Sequence, residues 1–498
     1  MLRIFESDII PFSERSSTRM SSSVPRISWG IFLCVLLGAW MSTVGVPTGL
    51  IFLLASIVSV LLAWRYPYIG LYLFVATAPL LGVVLSVSTG QLEFGERTFG
   101  GSIDVLLAEL IAASVMAAWA LRLFFVRQQK KRSWKPWLPL VQPYTALVIA
   151  HILSAFSAVL PDPILVIKYS LRPVLFAYIS SVVIPVNFIR TRQRLMTVLL
   201  ITSAVGLLFA VDGIRSLLTW SGGDGFIYRA RPLPILGFLP IGQNHNVLAE
   251  LLLTTFPFVL AWGLLHKDVQ RERLSAYAAL VMVVVASLTF ARSAWITLAC
   301  QMLFLGVTVW RDKIKKHWKQ VIKIGALSIP IMIYMMVLSL SPGVQGSTDA
   351  RAMLSGIALQ LFASEPLIGV GAGTFVDRVS HTWIFTYEYG NAMDSHGIFQ
   401  KVLAETGLIG FLALLWVMFA LVRMLITASK TLRRGSDDWY IFTLCMTSVL
   451  GAWIYQLFNT TYWTPKLWLP VGLTLAAGRI FLSRQATRDP DFLTSESR

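Results

Sequence analysis

The chain runs to 498 residues, 56% of them hydrophobic and only 13% charged, with a net charge of +17 and a mean hydropathy of +0.69. A soluble globular domain carries about 25% charged residues, so this composition excludes one and points to a polytopic membrane protein. The basic residues sit in short segments between apolar runs, a pattern of membrane orientation rather than of nucleic-acid binding.

Residues 1–26 are polar and rich in Ser and Arg, and read as a cytoplasmic tail. They do not resemble a signal peptide, because the first apolar run begins only near Ser28 and leads straight into another. Apolar runs then recur at 28–46, 49–64, 67–87, 103–126, 138–160, 170–189, 195–216, 246–265, 275–290, 294–310, 322–340, 406–426, 439–458 and 467–483. Runs of about 20 apolar residues are helical in a membrane, whereas β-barrel strands alternate over about 10 residues, so the expected fold is all-α with about fourteen (12–14) spans. The expected organisation is a tail at 1–26, an N-terminal bundle at 27–240, a second transmembrane region at 241–484 and a tail at 485–498. One large external loop at 342–405, holding short helices, belongs to the second region. The three cysteines, Cys34, Cys300 and Cys445, all lie within apolar runs and form no disulfide framework or metal cluster.

With the N-terminus in the cytoplasm and the spans alternating, roughly three-quarters of the 42 Lys and Arg residues fall inside. Most of the exceptions are arginines. Arg292 lies between two spans with almost no loop, and Arg172 stands at the mouth of another. An outer cavity lined by such arginines suits a diphosphate, which a guanidinium fork grips bidentately. Arg172, Arg292 and Arg351 are read in this way, with Arg215 and Arg231 as further candidates. Arg97, Arg378 and Lys466 read instead as snorkelling anchors at the membrane surface.

The loop at 217–245 ends in Gly242-Gln243-Asn244-His245-Asn246, a polar run leading into a span. Asn244 is placed to cap that helix, leaving His245 and Asn246 to face a substrate. His151 lies within a span as a hydrogen-bonded interior residue, and His266 and His317 fall on the basic cytoplasmic side. His245, His381 and His396 are external but share no metal-ligand spacing, so no metal is expected.

The longest polar interval, from about Ser341 to Leu408, contains Asp394-Ser395-His396. Ser395 is a candidate cap for a helix with apolar positions Ile398, Phe399, Val402 and Leu403, which places His396 in its first turn. Glu405 lies more than two turns further on, out of reach of His396 along a straight helix. Gly369-Val370-Gly371-Ala372-Gly373 lacks the lysine and spacing of a nucleotide loop and reads as a tight turn. It follows a helix at 350–364 whose Met353, Leu354, Ile357, Leu361 and Phe362 form one apolar stripe.

Several of these segments carry a family resemblance. Asp349-Ala350-Arg351, then Glu365-Pro366-Leu367-Ile368-Gly369-Val370-Gly371-Ala372-Gly373-Thr374-Phe375, then His396 and Ala404-Glu405-Thr406-Gly407-Leu408-Ile409-Gly410, resemble the O-antigen ligase and polymerase superfamily. Thr289-Phe290-Ala291-Arg292-Ser293 is similar to that family's Ser-Arg-Gly segment, and Asn244-His245-Asn246 to its Asn-rich helix start. Gly397 stands where the family usually has Asn, and Ala291 where it has Ser. The resemblance spans roughly 240–460; the first half agrees only in being multispanning.

The resemblance implies a bacterial inner-membrane glycosyltransferase acting at the external face. Its donor is a glycan on undecaprenyl diphosphate and its acceptor a sugar hydroxyl, of a glycan or of lipid A-core; its other partners are membrane lipids. The leaving group is already activated, so transfer is direct, inverting and free of cofactor or metal. His396 is then the catalytic residue that deprotonates or orients the acceptor. Arg292 and Arg351 bind the diphosphate, with Arg172, Arg215, Arg231, His245 and Asn246 around the substrate, and Glu405 and Gly407 give structural support. Polymerase, ligase and protein-glycan transferase are not separated by these residues, although the polar tail and span number lean toward a polymerase. The alternative is a non-enzymatic transporter or flippase of lipid-linked glycans. A transporter carries charge deep within several spans, and here His151, Glu109 and Asp212 are the main such residues.

Overall fold

The computed structural model describes residues 48–488, except 89–91, 95–96, 100–101, 130–135, 158–171, 173, 220–228, 236–237, 266–267, 461–463 and scattered positions within 321–341. The expected tail at 1–26 and span at 28–46 lie outside the described residues, as does much of 322–340 and of the tail at 485–498. Two compact units form, Met1–Lys135 with Ser483–Arg498, and Pro136–Leu482.

The smaller unit holds helices α1 (Thr48–Arg65), α2 (Pro67–Thr77) and α3 (Leu107–Gln129). Pro67 opens α2, where its missing N–H costs nothing. The helix stops at Thr77, two residues before Pro79, instead of running through the expected span at 67–87. The chain continues as β1 (Val84–Ser88), β2 (Leu92–Phe94), β3 (Arg97–Phe99) and β4 (Ser102–Leu106). β1 pairs antiparallel with β4, from Val84 opposite Leu106 to Ser88 opposite Ser102, and β2 pairs with β3. Val84-Leu85-Ser86-Val87-Ser88 changes from helical to alternating pattern within an apolar run, which conceals the strand. The all-α expectation therefore holds for the described residues apart from these two strand pairs and an isolated bridge between Ile235 and Phe238.

The larger unit contains α4 (Val141–Ser157), a π-helical turn (Ile179–Val183) continuing into α5 (Ile184–Phe188), α6 (Arg192–Leu218), α7 (His245–Leu265), α8 (Val269–Ser287) and α9 (Arg292–Thr308). The short α10 (Arg311–Lys316) follows, then α11 (Pro342–Ser364), α12 (Phe375–Ser380), α13 (Trp383–Tyr389), α14 (Ile398–Thr431), α15 (Asp437–Gln456) and α16 (Pro465–Arg488). Side-chain oxygens start several of them: Thr191 accepts from Arg194 N–H, Asp268 from Gln270 N–H and Ser436 from Trp439 N–H. His151 is a satisfied interior residue, with Nδ1 2.9 Å from the Leu147 carbonyl one turn earlier.

Three of the described helices, α6, α7 and α14, are long and apolar enough to cross a membrane. The count of fourteen spans is not supported. Most of the expected apolar runs coincide with helices, but α2 has 11 residues and α4 has 17. At 1.5 Å per residue α2 reaches only about half of a hydrocarbon core about 30 Å thick.

Helix α7 is buried along most of its length. Small residues admit its neighbours: an ideal Cβ on Gly263 would lie 1.9 Å from Ser275 Oγ of α8, and one on Gly206 of α6 would lie 2.4 Å from Thr255 Oγ1. Gln301 of α9 donates from Nε2 to Leu253 O at 2.9 Å and Thr447 O at 3.0 Å, clasping α7, α9 and α15. Small residues and interhelical hydrogen bonds are what associates helices in lipid, where hydrophobic burial supplies no difference between partners.

Candidate active site

Helix α14 is interrupted at Gly407, whose φ of 61° and ψ of −162° lie outside the helical region. Such a break frees carbonyls before it and amides after it, and in a membrane protein each must find a partner. The glycine-rich loop supplies them. Val370 N–H donates to Ala404 O (3.0 Å) and Gly371 N–H to Glu405 O (3.1 Å), while Leu408 N–H donates to Pro366 O (2.8 Å) and Ile409 N–H to Leu367 O (3.1 Å). Ser154 Oγ of α4 donates to the Glu405 carbonyl as well. The two backbones meet so closely that a Cβ on Gly369 would lie 2.3 Å from the Glu405 carbonyl, and one on Gly407 2.5 Å from that of Leu367. The tight turn read from the sequence is thus one half of a backbone lock, and Gly407 is the other.

The break aims Glu405 back at the loop. Its carboxylate accepts Phe375 N–H at 3.2 Å and the N–H of Gly373. Lys401, one turn earlier, places Nζ 3.8 Å from Glu405 Oε1 and 2.7 and 2.6 Å from the two oxygens of Asp394. Lys401 and Glu405 are both buried. Ser395 is not the helix cap: Gly397 holds that position without a side-chain bond, and Ser395 Oγ donates to Gly397 O instead. His396 therefore precedes the helix rather than riding its first turn. Thr460 Oγ1 donates to the Ser395 carbonyl and ties down the other side of the loop.

Around His396 the structure gathers cations. Arg292 opens α9 and donates from Nη2 to Thr348 Oγ1 of α11 at 3.1 Å, which brings it to the helix bearing Arg351. Burial, and next the Arg292 guanidinium, hold Arg351 below the ordinary arginine value. Arg351 Nε is buried with no hydrogen-bond partner among the described residues. Burial, and next the Arg351 charge, hold His396 below its ordinary value, with Asp394 opposing them. Both influences favour the neutral imidazole, the form that accepts a proton. His245, at the start of α7, lies 3.4 Å through Nε2 from Arg229 Nη1. Asn244 caps α7, its Oδ1 accepting Asn246 N–H at 2.9 Å, while Tyr455 Oη donates to Asn246 O at 2.7 Å and touches Ser293.

Of the sequence candidates, Arg292, Arg351, His396 and His245 converge here, and Asn246 is joined to them through its carbonyl on Tyr455. Arg215 is committed elsewhere, 2.7 Å from Asp212 Oδ1 and donating to Pro234 O at 2.9 Å, where it braces the loop above α6. Arg231 follows in the same loop, its N–H on Ser216 Oγ at 2.9 Å, and Arg172 is half-buried before the π-helical turn. Arg229, Lys401 and Tyr455 were missed as site residues. Position gave the only signal for Arg229 and Lys401, since both were charges on the side where charge is scarce. Lys466 corrects the snorkelling assignment: it is buried, with Nζ 3.5 Å from Glu250 Oε2, and Gln456 Nε2 donates to Glu250 Oε1 at 2.9 Å. A lysine held in the interior by a carboxylate has no need of the membrane surface.

These features describe an α-helical membrane protein with a cationic, histidine-bearing site beside a long loop. The O-antigen ligase family model matches residues 277–415, a stretch that takes in Arg292, Arg351, the glycine-rich loop, His396 and Glu405. The resemblance read from those residues stands over that stretch. No curated protein matches the chain. Among solved structures, one chain from work described as "Structural coordination of polymerization and crosslinking by a peptidoglycan synthase complex" is 15% identical, covering 70% of this chain and 98% of that one at a TM-score of 0.38. At that score it bears on neither the fold nor the activity.

Proposed function

We propose that the protein is a membrane glycosyltransferase that moves or polymerises a glycan from a polyprenyl diphosphate, undecaprenyl in bacteria, onto a sugar hydroxyl at the external face of the inner membrane. The carrying observation is that Arg351 joins the two halves of the chemistry: the Arg292 guanidinium, held on the same helix through Thr348, acts on Arg351, and Arg351 acts on His396. The arginines hold the diphosphate as it departs with the anomeric bonding pair, supplying fixed positive charge where negative charge develops. The neutral imidazole takes the acceptor proton as the hydroxyl oxygen attacks the anomeric carbon from the opposite face, which inverts it. A diphosphate leaving group is already good, so the residues present are sufficient for this displacement.

The test is a purified, reconstituted protein given a lipid-linked glycan and an acceptor without nucleotide or added metal. Release of polyprenyl diphosphate coupled to glycan extension supports the reading. Movement of the intact lipid-linked glycan across the bilayer without release supports the flippase alternative instead.

A further inference from the structure

The Asp394–Lys401–Glu405 chain has a role that the diphosphate and base assignments do not cover. An exposed ion pair is screened by water and positions little. This one differs, because the Lys401 side chain is 9% exposed and that of Glu405 2%. Lys401 Nζ is held by both Asp394 oxygens at 2.7 and 2.6 Å, in the loop two residues before His396. At 3.8 Å it also meets Glu405, the residue whose carbonyl and carboxylate both enter the lock with the glycine-rich loop. The loop carrying the imidazole is thereby tied through one ammonium to the most constrained backbone in the site.

We infer that Lys401 is the positioning residue of this site, its ammonium clamping Asp394 against the locked segment of α14 so that the His396 ring is presented to the acceptor hydroxyl. This rests on the transferase reading above. Removing the ammonium leaves the buried Glu405 carboxylate and the part-exposed Asp394 carboxylate without the cation between them, so Asp394 is no longer clamped and the His396 loop loses its register. A displacement of about 1 Å at a reacting group costs on the order of 10²-fold in rate. The donor, gripped by Arg292 and Arg351 on α9 and α11, does not feel that change.

The electrostatics of His396 give a second readout. Arg351 faces it from α11 and Asp394 from its own loop, with Lys401 and Glu405 of α14 behind Asp394, and Tyr455 of α15 beyond Arg351. Asp394 favours the charged imidazole, and Lys401 offsets it. Lys401→Met therefore moves the acid limb of the rate profile to higher pH, whereas Asp394→Asn moves it to lower pH. A part that merely holds the fold together does not move the limb in opposite directions from its two ends.

The experiment measures kcat, donor Kd and the acid limb for wild type, Lys401→Met, Lys401→Arg, Asp394→Asn and His396→Ala, all reconstituted in vesicles. Expected are a loss of about 10²-fold in kcat for Lys401→Met with donor Kd within about twofold of wild type, partial recovery in Lys401→Arg, and the two opposed limb shifts. Unchanged kcat and limb in Lys401→Met overturn the assignment of Lys401 while leaving the transferase intact. Should Lys401→Met fail to insert, Asp394→Asn decides: an unaltered limb and an unchanged kcat in that variant overturn it. Wild-type protein without transfer, or His396→Ala as active as wild type, defeats the underlying reading instead.

Discussion

Gly407 and Leu367 sit so close that an ideal Cβ on the glycine would lie 2.5 Å from the leucine carbonyl oxygen. Gly407 also holds a φ of 61°, where a side chain costs about 1–2 kcal/mol before any overlap is counted. Gly407→Ala and Gly369→Ala should each lower stability by more than that and lower transfer with it. Gly356→Ala is the control: it lies within α11 with nothing within 4 Å of an added Cβ, and should gain up to about 1 kcal/mol. Thermal unfolding in detergent measures all three. Equal midpoints would mean that the lock is not the tightest point of the site.

His396→Ala should reduce transfer by roughly two to four orders of magnitude, the usual worth of general acid–base catalysis. Donor binding, measured on the same preparation, should persist. His381→Ala should have little effect, because His381 is exposed and, among the described residues, its ring pairs with Asp377 of its own short segment, at 3.7 Å. Unchanged transfer in His396→Ala would remove the imidazole from the mechanism.

Arg292→Lys and Arg351→Lys keep the charge but lose the planar fork. Each should lower kcat/KM by at least about 10-fold while the protein inserts and purifies as before, which corresponds to the loss of about one charge-assisted hydrogen bond. Wild-type kinetics in both would assign these arginines to anchoring the loop.

The pH dependence follows from the direction of the His396 shift. Burial and then Arg351 lower its value, so the neutral base persists below the ordinary 6.5 and activity falls only at more acidic pH. Arg351→Gln removes one of the two lowering influences, and the acid limb of the residual kcat/KM should rise toward 6.5. Arg351→Lys retains the charge and should leave the limb near its wild-type position. A downward shift in Arg351→Gln would mean that Arg351 does not face the titrating group.

The expected orientation, with the site outside, rests on the distribution of Lys and Arg. In a variant with Cys34, Cys300 and Cys445 replaced, an impermeant thiol reagent should label a cysteine at Gly346 and spare one at Gln129. The reverse pattern would turn the site toward the cytoplasm.

Much of the frame was legible because long apolar runs and helix-breaking residues are local signals. Asn244 as a cap, His151 as an interior residue and the stripe of Met353, Leu354, Ile357 and Leu361 each depend on near neighbours in sequence. The glycine-rich turn was also legible, but its partner was not. Glu405 and Gly407 lie more than thirty residues away, and nothing in a one-dimensional pattern announces that two backbones touch. The hairpin from Val84 to Leu106 and the shortness of α2 were hidden by apolarity, which a half-membrane helix, a strand and a full span share. Lys466 was read from the side of the membrane it occupied, yet it is burial that sets its role, and burial depends on which carboxylate the fold delivers.

The Glu250–Lys466 pair also governs what the helices bearing it are free to do. Glu250 projects from α7 and Lys466 from α16, and their side chains are 1% and 3% exposed. Sliding either helix by one turn, about 5.4 Å, would strand two opposite charges in a medium that does not solvate them. The pair acts as a dowel: α7 and α16 can tilt about it but cannot ratchet. Any movement that admits a bulky glycan must therefore be taken up by parts that the dowel leaves free, among them the segment that carries α12 and α13.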